Sequence, residues 1–329
     1  MPPSAQTWDR LEYFDNSTVD LYWAQFAGWV GDATDSLRAV GQLLVHRRAW
    51  QALELLTFYL DAVKPEAEIV MNVLEAALNT PLNPSMSQSL LYNVSQLFTY
   101  LEHAQEIDEE RLARIEWMLL PLFRYESRSL KILHRLIAED PEFFVDIVST
   151  AYRATDEEPR TLDELERARA EAAYHLLKSA NRVPGTQDDG TIDSARLSEW
   201  IGKARRLLAE RKRLEIGDQC IGCILQRVKL GDDELWPPRV VCELLEKLHS
   251  DDIELGLEIA EHNARGVTWR NPTAGGEQER QIMNRYLAQA RNAQLRWPRT
   301  ARMLRRIAQA YASEAHMNDC EAELREDSL

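Results

Sequence analysis

Apolar residues along this chain recur at spacings of three and four. Between Ala33 and Tyr59 the series Leu37, Val40, Leu43, Leu44, Trp50, Leu53, Leu55, Leu56 and Tyr59 predicts two amphipathic helices with a break near Arg47–Arg48. Further stripes follow at Val70–Leu78, Leu90–Leu101, Leu112–Leu122, Leu130–Ile137 and Phe143–Ala151. Beyond them, helices are predicted near 161–179, 194–214, 215–229, 238–249, 251–264, 277–296 and 298–318. No run of four to eight residues alternates apolar and polar as a half-buried strand does, and Asp189–Gly190 lacks the flanking alternation of a hairpin. Pro65, Pro84, Pro141, Pro237 and Pro298 stand where first helical turns should begin, because a missing N–H is harmless there. Pro121, inside an apolar stripe, should kink or end its helix. Asp108 ahead of Glu109 and Glu110 suits the positive end of a helix.

Three segments read as loops: acidic 154–160, the turn-rich 181–193 and Gly266–Gly276. The expected organisation is an N-terminal helical-hairpin array over residues 1–153 and a C-terminal helical array over 154–329 that ends in arginine-rich helices. Short connections favour antiparallel neighbours. Helix pairs recur roughly every 35–45 residues over 33–152, in the range of helical repeats. No tetratricopeptide consensus is present, and Trp236-Pro237 and Trp297-Pro298 are a faint internal echo. The fold expected is all-α: an α-solenoid, or an irregular array of antiparallel helical hairpins, with about 13–15 helices and no sheet.

Composition narrows the class. The chain has 329 residues, 45% hydrophobic and 28% charged, with 13 Gly and 13 Pro, which excludes collagen-like and low-complexity chains. Four Cys do not make a disulfide-stapled scaffold. No apolar run approaches the ~18–20 residues of a membrane span. Met1–Gln6 lacks the basic and apolar regions of a signal peptide, so a cytoplasmic location is expected.

Three stretches carry a resemblance: Arg182-Val183-Pro184-Gly185-Thr186-Gln187, Gly275-Gly276-Glu277-Gln278-Glu279-Arg280 and Trp297-Pro298-Arg299-Thr300-Ala301. They resemble the C-terminal helical-repeat regions of large bacterial proteins, some of them similar to nucleotide-dependent sensors, and the likeness spans roughly residues 20–320. It implies a recognition region without its motor. No Gly-x-x-x-x-Gly-Lys-Ser/Thr loop occurs here.

Candidate chemistry is sparse. Cys220 and Cys223 have Cys-x-x-Cys spacing, with Cys242 and His249 further on. Zinc needs four such ligands in a tetrahedron, but this spacing matches no standard site, and free thiols are often simply buried. Glu246-x-x-His249 is half of a di-iron pattern that needs two. Glu254, Glu258 and His262 share a helix face, as solvated pairs also do. Asp188, Asp189 and Asp193 lack the final Glu of a calcium loop, and neither Gly-x-Ser-x-Gly nor His-Glu-x-x-His occurs.

Charge is the strongest asymmetry. The net is −15, yet Arg265–Arg306 holds ten Arg, no Lys and two acids, a local +8 that leaves −23 for the rest. Arg pairs bidentately with carboxylate or phosphate. Two readings stand: the arginines pair with the chain's own acids, such as Asp251, Asp252 and Glu254, or they meet an external anion. The reading carried forward is a non-catalytic interaction scaffold, with no cofactor and no membrane contact. It would bind an acidic protein partner through Arg270, Arg280, Arg291, Arg299, Arg302, Arg306 and Trp269. The alternatives are a metal-dependent enzyme around Cys220, Cys223, His249 and His262, and an RNA or single-strand binder stacking bases on Trp269 and Trp297.

Overall fold

The apolar stripes fold as helices. The computed structural model describes residues 3–26, 28–80, 88–104, 106–122, 130–230, 235–266 and 275–326. It is 73% helical, and no strand occurs among the described residues. The chain is all-α. No described helix is long and apolar enough to cross a membrane.

The described residues form two units, Met1–Leu133 and His134–Leu329. The first holds α1 (Ala5–Leu11), α2 (Asn16–Ala24), α3 (Ser36–Val45), α4 (Ala49–Phe58), α5 (Leu60–Val63), α6 (Ala67–Leu78), α7 (Gln88–Leu101) and α8 (Glu109–Leu119). α4 packs on α3, α6 and α7, and α6 on α8. Leu43, Leu53, Leu56, Leu74, Leu97 and Phe98 fill the space between them, all essentially unexposed. Each such side chain contributes about 1.5–3 kcal/mol by leaving water. The break after α3 falls where expected: Arg47 takes the left-handed conformation, φ 57°, and α4 starts two residues later. Asp108 caps α8 by accepting the Arg111 N–H at 3.0 Å. α8 ends at Leu119, just before Pro121, and one 3-10 turn follows. α1 and α2 have no counterpart among the expected helices. They are short, and α2 buries Trp23 alone, its ring tilted 38° to that of Trp8 with centroids 5.7 Å apart.

α9 (Lys131–Glu139) straddles the boundary. The second unit continues with α10 (Pro141–Ala151), α11 (Glu164–Ser179), α12 (Ser194–Glu210), α13 (Leu214–Leu225), α14 (Arg239–Leu248), α15 (Asp251–Ala264), α16 (Glu277–Ala293) and α17 (Pro298–Glu326). α10 packs on α11 and α12, α13 on α15, and α17 receives α14, α15 and α16. Pro141 and Pro298 open their helices as expected. Pro65 and Pro237 instead lie two residues ahead of α6 and α14, with Glu66 and Pro238 as the N-cap residues, and Pro84 lies outside the described residues. The acidic 154–160 segment is tied down. Thr155 donates its N–H and its hydroxyl to the Lys212 carbonyl, each at 3.0 Å, and Glu157 pairs with Arg213.

The closest approach is at glycine. A Cβ on Gly222 would lie 2.2 Å from the Ile253 carbonyl, and one on Gly256 2.0 Å from that of Gln219. No side chain fits at either place, so α13 and α15 meet backbone to backbone.

Candidate functional site

The arginine-rich helices lie against the acids of α15. Arg299 donates Nε to Glu254 at 2.7 Å and Nη2 to Asp251 at 2.6 Å. Arg306 reaches the other Glu254 oxygen at 2.7 Å and also pairs with Glu258. Glu254 is wholly buried between the two guanidiniums. Arg302, half exposed, stands 3.6 Å from Asp251 and 3.9 Å from Glu254. Burial pushes the Glu258 carboxyl above the ordinary range, against the pull of Arg306. Glu246 accepts the Thr300 N–H at 2.9 Å, which satisfies an otherwise free donor in the first turn of α17.

The same holds along α16. Arg280 pairs with Asp319 at 2.6 Å, and Asp319 also accepts the Gly276 N–H at 2.8 Å. Those bonds hold its carboxyl below the usual range. Arg265 pairs with Glu279 at 2.7 Å and Glu314 at 3.7 Å, and Arg296 with Glu243 at 3.4 Å. Among the described residues, six of the ten arginines thus have acidic partners on their own chain. Arg291 is exposed and has none. Arg305 meets Gln294 at 2.9 Å, and Arg285 lies over the Tyr286 ring. Trp269 and Arg270 lie outside the described residues. Trp297 is buried under the Arg296 guanidinium, so it offers no open ring for a base.

The thiols do not converge. All four are free; Cys220 and Cys242 are buried. Cys223 donates to the Gly256 carbonyl at 3.5 Å and Cys242 to that of Pro237 at 3.1 Å. Burial pushes the Cys220 and Cys242 thiols up to about 12, which suits inert core groups rather than nucleophiles. His249 ends α14 in the left-handed conformation, and His262 faces Glu314 at 3.1 Å. Among the described residues no three such side chains are grouped to hold an ion. Gly222, between the two cysteines, accounts for the motif: this stretch is where α13 meets α15.

A different part of the second unit is open. The 181–193 segment, expected as a turn-rich loop, is a turn fixed by hydrogen bonds. Thr186 and Ile192 form one antiparallel bridge. Gln187 N–H donates to Thr191 at 2.8 Å and Gly190 N–H to Gln187 at 2.9 Å. Asp189 locks the tip by accepting the Thr191 N–H at 2.8 Å and its hydroxyl at 2.6 Å. Asp193 caps α12 through Ala195 and Arg196. Gly185 sits at φ 77°, and a Cβ there would lie 2.8 Å from the Asp193 carbonyl, so the turn requires glycine.

This turn, the start of α10 and the first half of α12 enclose a cleft of about 920 Å³. Trp200 lines it, buried and 4.9 Å from the Phe144 ring. The Trp200 indole N–H has no acceptor among the described residues. Three cations at the cleft are paired: Arg182 with Glu139 at 3.5 Å, Arg196 with Asp193 at 3.6 Å, and Lys203 with Glu142 at 2.8 Å. Asp188 and Glu199, both exposed, make no ion pair among the described residues. The pattern of the sequence flagged the turn but not the cleft. The available signal was two glycines five residues apart around Asp189, which is more than a linker needs.

No known protein family matches this chain, and no curated protein or solved structure is detectably similar to it.

Proposed function

We propose that this chain is a non-catalytic helical recognition module, and that the cleft under the 181–193 turn receives its partner. One observation carries this reading: the turn is fixed by its own hydrogen bonds and by Gly185, while Asp188 and Glu199 beside it have no ion-pair partner among the described residues. A rigid loop on a helical frame is a common way to present binding groups. The cleft lies within the size range of ligand sites. The role fits the helical tails that the sequence resembles.

The arginine strip is the second reading. It draws support from Arg291 and Arg305, which are exposed and have no acidic partner among the described residues. It would dock an acidic protein.

Selection of random displayed peptides against the whole chain separates the two. On the first reading, selected peptides lose binding to Gln187→Trp, which fills the cleft, and keep binding to Arg291→Glu/Arg305→Glu. The reverse pattern moves the function to the strip.

A further inference from the structure

One edge of the cleft is held by a buried imidazole. Ala138 and Glu139 of α9 form part of the cleft wall, and Arg182 and Val183 at the root of the 181–193 turn form the next part. Two links join them. At the surface Glu139 pairs with Arg182 at 3.5 Å. Inside, His134, one helical turn before Ala138, is buried with its Nε2 3.0 Å from the Ser179 hydroxyl oxygen at the end of α11. Ser179 gives its own proton to the Leu176 carbonyl at 3.2 Å, so the imidazole donates from Nε2. Nδ1 is then the bare nitrogen. It is closed to water and has no hydrogen-bond partner among the described residues. A second proton there would be a buried charge without an acceptor.

Burial accordingly holds the imidazole below its ordinary range, and the Asn181 side chain only partly offsets this. Charged groups stand on α9 and the segments next to it: Lys131, Arg135 and Glu139 on α9, Glu142 on α10, His175 and Lys178 on α11, and Arg182 on the turn. None of them moves the proton affinity of the ring.

We propose that His134 is an acid-sensitive clamp on the cleft: neutral, it ties α9 to the root of the 181–193 turn, and protonation releases that root. The consequence for a ligand rests on the reading of the cleft as the binding site; the release itself does not. Once freed, the ring takes the ordinary value of about 6.5. Above that value the clamp is indifferent to pH. Below it, opening should become about tenfold more favourable per pH unit, until the clamped ring itself protonates.

Hydrogen exchange of the full chain, read by mass spectrometry from about pH 7.5 to about pH 5 and corrected for intrinsic rates, tests the clamp without a ligand. Protection of α9 from His134 onward and of the turn root should fall about tenfold per pH unit below about 6.5, while α17 keeps its protection. His134→Gln retains a donor for Ser179 but cannot titrate, so the slope should vanish. His175→Gln, at an exposed histidine of α11, and Glu139→Gln, which removes the surface link, should both retain it. Ring-nitrogen spectra of the parent chain need no variant: one of the seven histidines should carry its proton on Nε2 and titrate below the free-histidine value. Peptides selected for the cleft should bind several-fold more weakly at about pH 5.5 than at neutral pH, and His134→Gln should remove the difference.

Protection that ignores acid, a slope that survives in His134→Gln, or the absence of such a ring would each overturn the clamp. A parallel loss in α17 would mean general acid unfolding and overturn a local device. Exchange that follows His134 while peptide binding ignores pH would overturn control of the cleft. Failure of the cleft reading itself shows only in the peptides and leaves the exchange result as it is.

Discussion

The arginine-rich helices and the 181–193 turn handle charge in opposite ways. From Arg265 to Arg306 the sequence carries ten Arg against two acids. In the fold, Asp251, Glu254 and Glu258 of α15 meet Arg299, Arg302 and Arg306 of α17 side by side. The turn carries one Arg and three Asp. Asp189 and Asp193 bind backbone, and Asp188 makes no ion pair among the described residues. Density of charge in sequence is thus a poor guide to open charge in the molecule. Two packed helices with repeating charge at every turn can neutralise each other along their whole contact. A tight turn has no such parallel partner, so a side chain not used by its own backbone is left facing outward.

The sharpest way to break this contrast is to remove one acid from each region. Glu254→Ala leaves Arg299, 17% exposed, and Arg306 without their shared buried partner. Loss of one member of a buried pair costs about 3–5 kcal/mol, and the partial exposure of Arg306 argues for about 3 here. Glu199→Ala, at an exposed position without an ion pair among the described residues, should stay within about 0.5 kcal/mol of the parent. Urea denaturation of both variants measures the difference. Equal losses would mean that the strip is not held from within.

Backbone changes sharpen the comparison next. Gly185→Ala forces a left-handed φ on alanine and a contact at 2.8 Å with the Asp193 carbonyl, a cost of about 2 kcal/mol. Gly202, on α12, has open space where a Cβ would go, so Gly202→Ala should gain about 0.5–1 kcal/mol through helix propensity. Thermal melts that rank the two variants the other way would show that the turn is not fixed as described. Peptide binding at the cleft should fall in Gly185→Ala and persist in Gly202→Ala.

The helices from α3 onward, the four-residue α5 aside, were legible because burial on one face imposes a period that the sequence must obey. Leu112, Ile115 and Leu119 are buried in α8 as their spacing requires. α1 and α2 were not legible: isolated aromatics, Trp8 and Trp23, are buried without a stripe. α17 runs past the expected stop because only small residues, Ala315 and Ala322, mark its buried side there. For the strip, the sequence named both possible partners of the arginines but could not choose, since the choice depends on how α15 and α17 pack. For the cleft it supplied the turn alone. Pro141, Glu199 and Trp200 join it from other elements, and no local pattern links residues that meet only in three dimensions.

Within the strip, exposure should grade the response. Arg302→Glu alters a half-exposed side chain at 3.6–3.9 Å from its acids and should cost about 0.5 kcal/mol or slightly more. Arg299→Glu, against buried Glu254, should cost clearly more in the same urea series. Similar costs would contradict the difference in burial between the two arginines.

The smallest effect concerns pH and belongs to Glu258. Its carboxyl is pushed above the ordinary range by burial, although Arg306 pulls the other way. A carboxyl with a raised folded pKa binds protons more readily in the folded state than in the unfolded chain. Its contribution is therefore most favourable below the ordinary glutamate pKa, about 4.3. It declines as pH rises from there through the folded value. Glu258→Gln removes this dependence and keeps the shape of the side chain. The stability of the parent relative to this variant should fall between acid and neutral pH, as read from urea midpoints at several pH values. Asp319, held below the ordinary range by the Gly276 N–H and Arg280, should behave in reverse. Its ionised form is favoured by folding, so the parent should gain on Asp319→Asn as pH rises and lose that gain on acidification through the folded value. Two carboxylates within one arginine-rich region would then titrate with opposite sign. A common sign would mean that burial at Glu258 does not outweigh its arginine.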